Sequence, residues 1–171
     1  RCIHPEADLQ SLLRAPSVST LELDLSMDAF RRVTGAANRR ARGEPLAYIL
    51  GEKEFWSMVF HVNEKCLIPR SDSETLIEAM LEHYVPTIQD QNVHVADLYT
   101  GSGCLLLAAL SELPAPASGV GYDISSNAVS IAQRNARRHH LDARAVFVEQ
   151  DLSGPAPITN AASGKSCWDI V

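Results

Sequence analysis

Two glycines and three carboxylates are the residues whose types and spacing indicate chemistry. Gly101 and Gly103 lie in the turn "YTGSG", between a short apolar stretch and a longer one. Glycines let the backbone approach a ligand closely, and a helix that starts there offers free N–H donors. Asp97 precedes the turn, and Asp123 follows it by about 20 residues, where a carboxylate can accept hydrogen bonds from both hydroxyls of a ribose. Asp151 ends a further apolar stretch, so the pattern predicts a site for a ligand that contains a nucleoside.

The turn favours S-adenosylmethionine (AdoMet) over a dinucleotide. A dinucleotide fingerprint needs G-x-G-x-x-G, but counting from Gly101 the third position is Leu106. An anionic pyrophosphate would also lie near Asp97 and Asp123, whereas AdoMet has no phosphate and carries a positive sulfonium. A nicotinamide-binding oxidoreductase domain stays open as a weaker alternative.

Residues 93–171 alternate between two kinds of element. Strands are predicted at "VHVADL", "GVGYD", "AVFVEQD" and the start of "WDIV", and helices at "CLLLAALSEL" and "SSNAVSIAQRNARRHH". The segment "SGPAPITNAASGKS" fits either a loop or a poor helix. Strands that alternate with helices predict a parallel, doubly wound sheet. Because the strands of such a sheet end at one edge, the glycine turn, Asp123 and Asp151 are expected to lie along that edge.

Residues 1–52 are predicted to be helical. One helix starts at Pro5 and is broken at Pro16, and a second starts after Ser26, a plausible N-cap. An apolar face of this second helix is predicted from Phe30, Val33 and Ala37. The segment also holds a cluster of arginines: Arg31, Arg32, Arg39, Arg40 and Arg42. A solvated helix face explains such a cluster most simply, and a contact with RNA or an acidic partner remains open.

Residues 54–70 read as a β-hairpin, and a helix follows them. "NEK" separates two apolar runs and is the predicted hairpin turn. Ser71 and Glu74 then have the spacing of a capping box, which leaves Glu74 open between helix capping and a role at a site. The predicted apolar face of that helix consists of Leu76, Ile77, Met80, Leu81 and Tyr84. His139 and His140, further along, are interpreted as a solvated helix end with a favourable dipole interaction.

Composition narrows the class of protein. The chain has 171 residues, 46% of them hydrophobic, and a net charge of −6, which argues against a general electrostatic grip on nucleic acid. Its four cysteines match no zinc pattern and are expected to be buried or free thiols in a reducing cytosol. No apolar run reaches the ~18 residues that a membrane span requires, and we expect no metal.

The sequence resembles the HemK-type release factor glutamine methyltransferases, which are class I AdoMet-dependent enzymes. The resemblance covers about three quarters of the chain, and "GEPLAYILG" and "LIPR…E" are more specific to the family than the glycine turn. The matching stretches are "RRARGEPLAYILGEKEFWSMVFHV", "CLIPRSDSETLIEAML", "VADLYTGSGCLLLAAL", "GYDISSNAVSIAQRNA" and "VEQDL".

The resemblance implies an α/β fold, an incomplete Rossmann-like methyltransferase domain preceded by a small helical domain and a β-hairpin linker. The implied boundaries are 1–52 for a partial helical domain that binds the release factor, 53–70 for the linker and 71–171 for the AdoMet-binding part. By position, the resemblance also implies the residues that bind AdoMet. Some of them line its methionine end, one binds its ribose, and others border its adenine. They are Tyr99, Thr100, Gly101, Ser102 and Gly103 in the turn, Asp123 at the ribose, and Asp151 and Leu152 at the adenine.

The sequence departs from the family at several positions. It reads "PRSDSE" where the family usually has "PRPETE", which retains Pro69, Arg70 and Glu74. Tyr99 stands where the family usually has the first glycine of the turn, and tyrosine disfavours a positive φ, so AdoMet binding is expected to be weakened or reshaped. In the family "DIV" continues into "SNPPY", which grips the substrate amide, so the catalytic residues are expected just after Val171.

The resemblance implies methyl transfer to the side-chain amide nitrogen of a glutamine in a peptide chain release factor. The alternatives are a non-catalytic, truncated AdoMet-binding fragment and an N6-adenine methyltransferase acting on nucleic acid. The acidic balance and "GEPLAYILG" argue against the second of these. We expect a monomer in the bacterial cytoplasm, with an organellar homologue left open, that binds the release factor but neither membrane nor nucleic acid.

Overall fold

The computed structural model describes residues 26–84, 93–154, 168 and 170. Contacts divide the chain into two units, Arg1–Gly51 and Glu52–Val171. The helix predicted between Pro5 and Pro16 and most of the segment "SGPAPITNAASGKS" lie outside the described residues.

The first unit contains helices α1 (Met27–Ala41) and α2 (Leu46–Leu50). Ser26 caps α1 as predicted, and its hydroxyl accepts a hydrogen bond from the Ala29 N–H at 3.2 Å. The predicted apolar face is wrong, because the buried residues of α1 are Ala29 and Ala36 while Phe30 is 55% exposed. The two alanines lie two helical turns apart on one side of α1. The buried side is therefore next to the predicted one, which Phe30 marks.

Part of the arginine cluster is paired within the first unit. Arg39 donates two hydrogen bonds to the Glu44 carboxylate, one of them from Nε at 2.8 Å. Arg32 lies 3.4 Å from Asp28, one helical turn before it. Local ion pairs therefore account for these two arginines.

The hairpin consists of β1 (Glu52–Phe55) and β2 (Met58–His61), which pair antiparallel. Its turn is Trp56–Ser57, with φ of 51° and 56°, so the prediction of a turn at "NEK" is wrong. Two central residues with positive φ match the twist of the flanking strands and give the tightest hairpin connection. "NEK" forms a separate turn after β2, where the Lys65 N–H donates to the Asn63 side chain at 2.9 Å.

Helix α3 (Glu74–Tyr84) follows a short 3₁₀ turn, Ser71–Ser73. The Glu74 carboxylate accepts a hydrogen bond from the Trp56 N–H at 2.8 Å, so it holds the hairpin turn and the capping-box interpretation is wrong. The apolar face of α3 is confirmed at Ile77 and Met80, which are buried, but Leu76 is 59% exposed. The side chain of Tyr84 lies outside the described part of the structure.

A parallel sheet forms the centre of the second unit. Its strands are β3 (His94–Leu98), β4 (Ser118–Asp123) and β5 (Ala145–Glu149), in the order β3-β4-β5. Helix α4 (Cys104–Glu112) connects β3 to β4, and α5 (Ser126–Arg138) connects β4 to β5. The predicted alternation of strands and helices is confirmed.

The predicted start of a fourth strand is confirmed at Ile170. Ile170 pairs parallel with Val95, and its carbonyl accepts from the Ala96 N–H at 2.8 Å. Since β4 occupies the opposite side of β3, the chain returns past β3 after completing β5. Such a reversal of strand order opens a crevice at the carboxyl ends of the strands, and ligands of open α/β sheets bind there.

The core of the second unit packs the helices closely on the sheet. Leu106, Leu107 and Leu110 of α4 are at most 1% exposed, and complete burial of such a side chain stabilises by about 1.5–3 kcal/mol. A Cβ added at Gly121 would lie 2.6 Å from Cδ1 of Phe147. The glycine in β4 therefore makes room for this aromatic ring.

Candidate functional site

The glycine turn is fixed to the neighbouring strand by its backbone. The Thr100 N–H donates to the Tyr122 carbonyl at 2.8 Å, and the Gly103 N–H donates back to the Thr100 carbonyl at 2.8 Å. Gly101 and Gly103 have φ of 55° and 78°, which glycine adopts at little cost. The sequence therefore builds a tight turn at the carboxyl edge of the sheet, where it was predicted.

Asp123 is hydrogen bonded to both sides of this edge. Its Oδ2 accepts from the Gly101 N–H at 2.9 Å, and its Oδ1 accepts from the Ser125 N–H at 2.9 Å. A carboxylate has about four lone-pair positions, so each oxygen can accept one more hydrogen bond. Asp123 is only partly buried, and it can therefore receive two hydroxyl donors while the backbone holds it in place.

The two glycines of the turn differ in the space around them. A Cβ at Gly101 would meet no atom closer than the Tyr99 carbonyl oxygen at 4.0 Å, whereas one at Gly103 would lie 3.0 Å from both Ala132 and Phe147. Gly103 thus lets the turn pack closely against α5 and β5, while Gly101 leaves an open face next to Asp123. This open face and the acidic acceptor fit a neutral ribose and a cationic sulfonium better than a phosphate.

Asp97 lies beneath the turn. Its Oδ2 accepts from the Thr100 hydroxyl at 2.6 Å. Burial raises the pKa of Asp97 to about 6, and the negative charge of Asp123 acts in the same direction, while the hydrogen bond from Thr100 opposes both. Asp97 and Thr100 therefore brace the turn from the side of β3.

The structure places the other predicted cofactor residues with different exposures. Tyr99 is 70% exposed with φ of 64°, so the position that the family usually fills with glycine does have a positive φ here. Ser102 is 2% exposed, so its hydroxyl is not open to a ligand from solvent. Asp151 is exposed and accepts two hydrogen bonds from Ser153, which lower the pKa of its carboxyl; Leu152 is partly buried.

The third strand brings Asp151 to the same edge. The Gln150 N–H donates to the Asp123 carbonyl at 2.8 Å. Asp151, the next residue, therefore lies just beyond the end of β5, near Asp123. No described hydrogen bond joins the Asp151 carboxylate to the glycine turn. The structure thus brings the turn and Asp123 into direct contact and places Asp151 along the same edge.

The segment that carries "CLIPR" also comes near this edge. Cys66 is buried, and burial is the main reason why the pKa of its thiol is raised. The negative charge of Asp123 raises it further. The Cys66 thiol is therefore close enough to Asp123 to feel its charge.

The two histidines after α5 are not equivalent. His139 is half-buried, its ring lies 5.0 Å from that of Phe60, and its Nε2 lies 3.0 Å from the Val59 carbonyl. Burial lowers the pKa of His139, which disfavours a cationic interaction with the helix dipole. The interpretation as a solvated helix end is therefore wrong for His139, which docks the hairpin, although His140 is exposed.

Asn135 is the main residue that the sequence patterns missed. It is fully buried in α5, and its side chain bonds to the backbone of His61 and to the Ser102 carbonyl. One feature of the sequence could have revealed its role. Its side-chain amide lies on the apolar face of a helix, alongside Ala128, Ala132 and Ala136. Buried polar side chains at such positions usually have hydrogen-bond partners.

Two absences concern the residues that the structure describes. Within that part of the chain no helix is long and apolar enough to cross a membrane. Residues 26–84 and 93–154, with 168 and 170, also hold no group of three or more His, Cys, Asp or Glu side chains that could bind a metal ion.

The parallel sheet, its crossover helices and the glycine turn define a Rossmann-like methyltransferase fold, and a family model supports this class. The model described as ribosomal protein L11 methyltransferase (PrmA) matches residues 76–162, about half of the chain. The chain belongs to this methyltransferase family. AdoMet, the cofactor predicted from the residues, is the methyl donor of this methyltransferase family.

Curated relatives point to a more specific class of methyltransferase. Release factor glutamine methyltransferases from Bradyrhizobium diazoefficiens and Haemophilus influenzae are 44% and 41% identical to the chain over 117 and 120 residues. One from Moorella thermoacetica is 39% identical over 145 residues. The alignments cover 68%, 65% and 85% of this chain and 39%, 41% and 50% of the relatives. The predicted resemblance is confirmed, and the chain spans half or less of the length of these relatives.

Proposed function

We propose that the protein transfers a methyl group from AdoMet to the side-chain amide nitrogen of a glutamine in a peptide chain release factor. The observation that supports it most is the Asp123 carboxylate, held by the Gly101 and Ser125 N–H groups beside the open face of Gly101. The relatives at 39–44% identity support the choice of substrate.

The turn and the strand ends would hold the cofactor. Asp123 would accept hydrogen bonds from the ribose hydroxyls, and the backbone of the turn 99–103 would contact the methionine end. Asp151 and Leu152 would border the adenine. Thr100 would act indirectly, because its hydroxyl is already bonded to Asp97.

The reaction requires close positioning. An amide nitrogen is a poor nucleophile because its lone pair is delocalised, and aligned binding of the two reactants can supply much of the rate. AdoMet supplies a methyl group on a sulfonium. The residues of this chain would fix the direction of that methyl, while the groups that grip the glutamine amide are expected in the motif that follows "DIV" in the family.

We assign the regions accordingly. Residues 1–52 would contact the release factor, residues 53–70 would connect the parts, and residues 71–171 would bind AdoMet. The hairpin within the connecting region also packs on the rest of the second unit, through the hydrogen bonds of Trp56 to Glu74 and Glu112. We expect the protein to act as a monomer in the cytoplasm.

A thermal-shift comparison of AdoMet with NADH tests the cofactor. Stabilisation by AdoMet is the expected result, and stabilisation by NADH alone would point to a nicotinamide-binding domain. Methyl transfer from radiolabelled AdoMet by the full gene product then tests the substrate. Label in a release factor is expected, and label only in adenine of a nucleic acid would overturn the glutamine assignment.

A further inference from the structure

Asn135 connects three segments of the second unit. Its Oδ1 accepts from the His61 N–H at 2.7 Å, and its Nδ2 donates to the His61 carbonyl at 3.1 Å. The amide thus pairs with β2 as the backbone of a neighbouring strand would. A third hydrogen bond, from Nδ2 to the Ser102 carbonyl at 2.9 Å, reaches the glycine turn.

The third hydrogen bond controls a peptide plane of the turn. The Ser102 carbonyl and the Gly103 N–H belong to one rigid peptide unit. Donation from Asn135 to that carbonyl therefore sets the direction of the Gly103 N–H, which closes the turn on the Thr100 carbonyl. A shift of β2 would be transmitted to the turn through a single side chain.

Docking of the hairpin does not by itself explain Asn135. His139, one turn further along, contacts the Val59 carbonyl and the Phe60 ring, and Arg138 lies 3.7 Å from the Glu52 carboxylate. These contacts join the same helix end to the same hairpin without touching the turn. What Asn135 adds is the bond to Ser102.

We propose that Asn135 is a positioning residue that couples the hairpin to the glycine turn and thereby sets the affinity for the cofactor. The effect on affinity rests on the proposed AdoMet site, whereas the mechanical coupling does not. Coupling between two sites acts equally in both directions. A ligand that orders the turn must therefore also stabilise the hydrogen bonds between Asn135 and His61.

The matched variants are Asn135→Asp and His139→Ala. Asn135→Asp keeps the size and the acceptor for the His61 N–H but removes both donors and places a carboxylate against two carbonyls. His139→Ala removes a hairpin contact on the same helix and leaves the turn untouched. Amide hydrogen exchange at Gly103, followed by NMR, reports closure of the turn without any ligand.

The coupling predicts an asymmetric result. Asn135→Asp should speed exchange at Gly103 and weaken AdoMet binding, each by about tenfold or more, since a buried acceptor loses its donor. His139→Ala should change neither beyond about twofold. Equal effects of the two variants, or no effect of Asn135→Asp on Gly103, would overturn the proposal.

The wild-type chain provides a second test if Asn135→Asp does not fold. Saturation with AdoMet should slow exchange of the His61 N–H, which lies on the far side of Asn135 from the turn. Unchanged exchange at His61 under saturation would overturn the coupling. Failure of AdoMet to bind at all would instead contradict the proposed function, and where Asn135→Asp folds, exchange at Gly103 would still decide the coupling.

Discussion

Tyr99 stores strain at the turn, and replacing it with glycine should stabilise the protein. With φ at 64° it occupies the left-handed region, which costs a residue with a Cβ roughly 1–2 kcal/mol. Its ring is 70% exposed, so little packing is lost on removal. Glycine is freer in the unfolded chain, which offsets about 0.5–1 kcal/mol of the gain.

The comparison that isolates the strain is Tyr99→Gly against Tyr99→Ala. Both variants lose the ring, but alanine keeps the Cβ and therefore the unfavourable backbone. Tyr99→Gly should be more stable than Tyr99→Ala by about 0.5–1 kcal/mol, or roughly 1–4 °C in Tm for a chain of this size. The assay is thermal unfolding followed by circular dichroism, with urea unfolding as a check.

Two outcomes of this comparison would contradict backbone strain at Tyr99. If Tyr99→Gly were no more stable than Tyr99→Ala, the backbone at this position would not be strained. If both variants were much less stable than the wild type, the exposed ring would be making contacts that its exposure does not suggest.

Three further changes have expected outcomes. Ser57→Gly should raise the stability by about 0.5–1 kcal/mol in urea unfolding, because Ser57 has φ of 56° in the hairpin turn; a lower stability would contradict the turn geometry. Asp97→Asn should gain stability relative to wild type as pH rises from about 4 to 6. The pKa of Asp97 is about 6 when folded and near 3.9 when unfolded, so the folded state binds more protons in that window and wild-type stability falls. If the difference in unfolding free energy between wild type and Asp97→Asn did not change with pH, the pKa of Asp97 would not be raised in the folded protein. Arg144→Met should cost about 1–3 kcal/mol, because the guanidinium donates to the carbonyls of Leu113, Pro114 and Ala117; exposed Arg137→Met is the control, and equal costs would count against the clamp.

The elements that position the site could be predicted because they follow from local patterns. The glycine spacing around Gly101 predicts a tight turn, and the distance to Asp123 predicts a carboxylate at the next strand end. The rule that parallel strands share a carboxyl edge then brings them together. The hydrogen bond between Gly101 and Asp123 is the structural outcome of that rule.

Contacts between distant segments could not be predicted in the same way. "NEK" is the stronger local turn signal, but Trp56 is held in the hairpin turn by Glu74 and Glu112, far away in the sequence. His139 and Asn135 likewise meet the hairpin across more than seventy residues. Their roles depend on packing of α5 against β2, which no short pattern encodes.

Asp123 and the glycine turn are the groups proposed to bind AdoMet. Titration calorimetry of AdoMet into the wild-type protein and into Asp123→Ala tests this claim most directly. We expect saturable binding to the wild type and none to Asp123→Ala, because the ribose loses its acceptor and the Gly101 N–H loses its partner. Equal affinity in the two proteins would remove Asp123 from the AdoMet site.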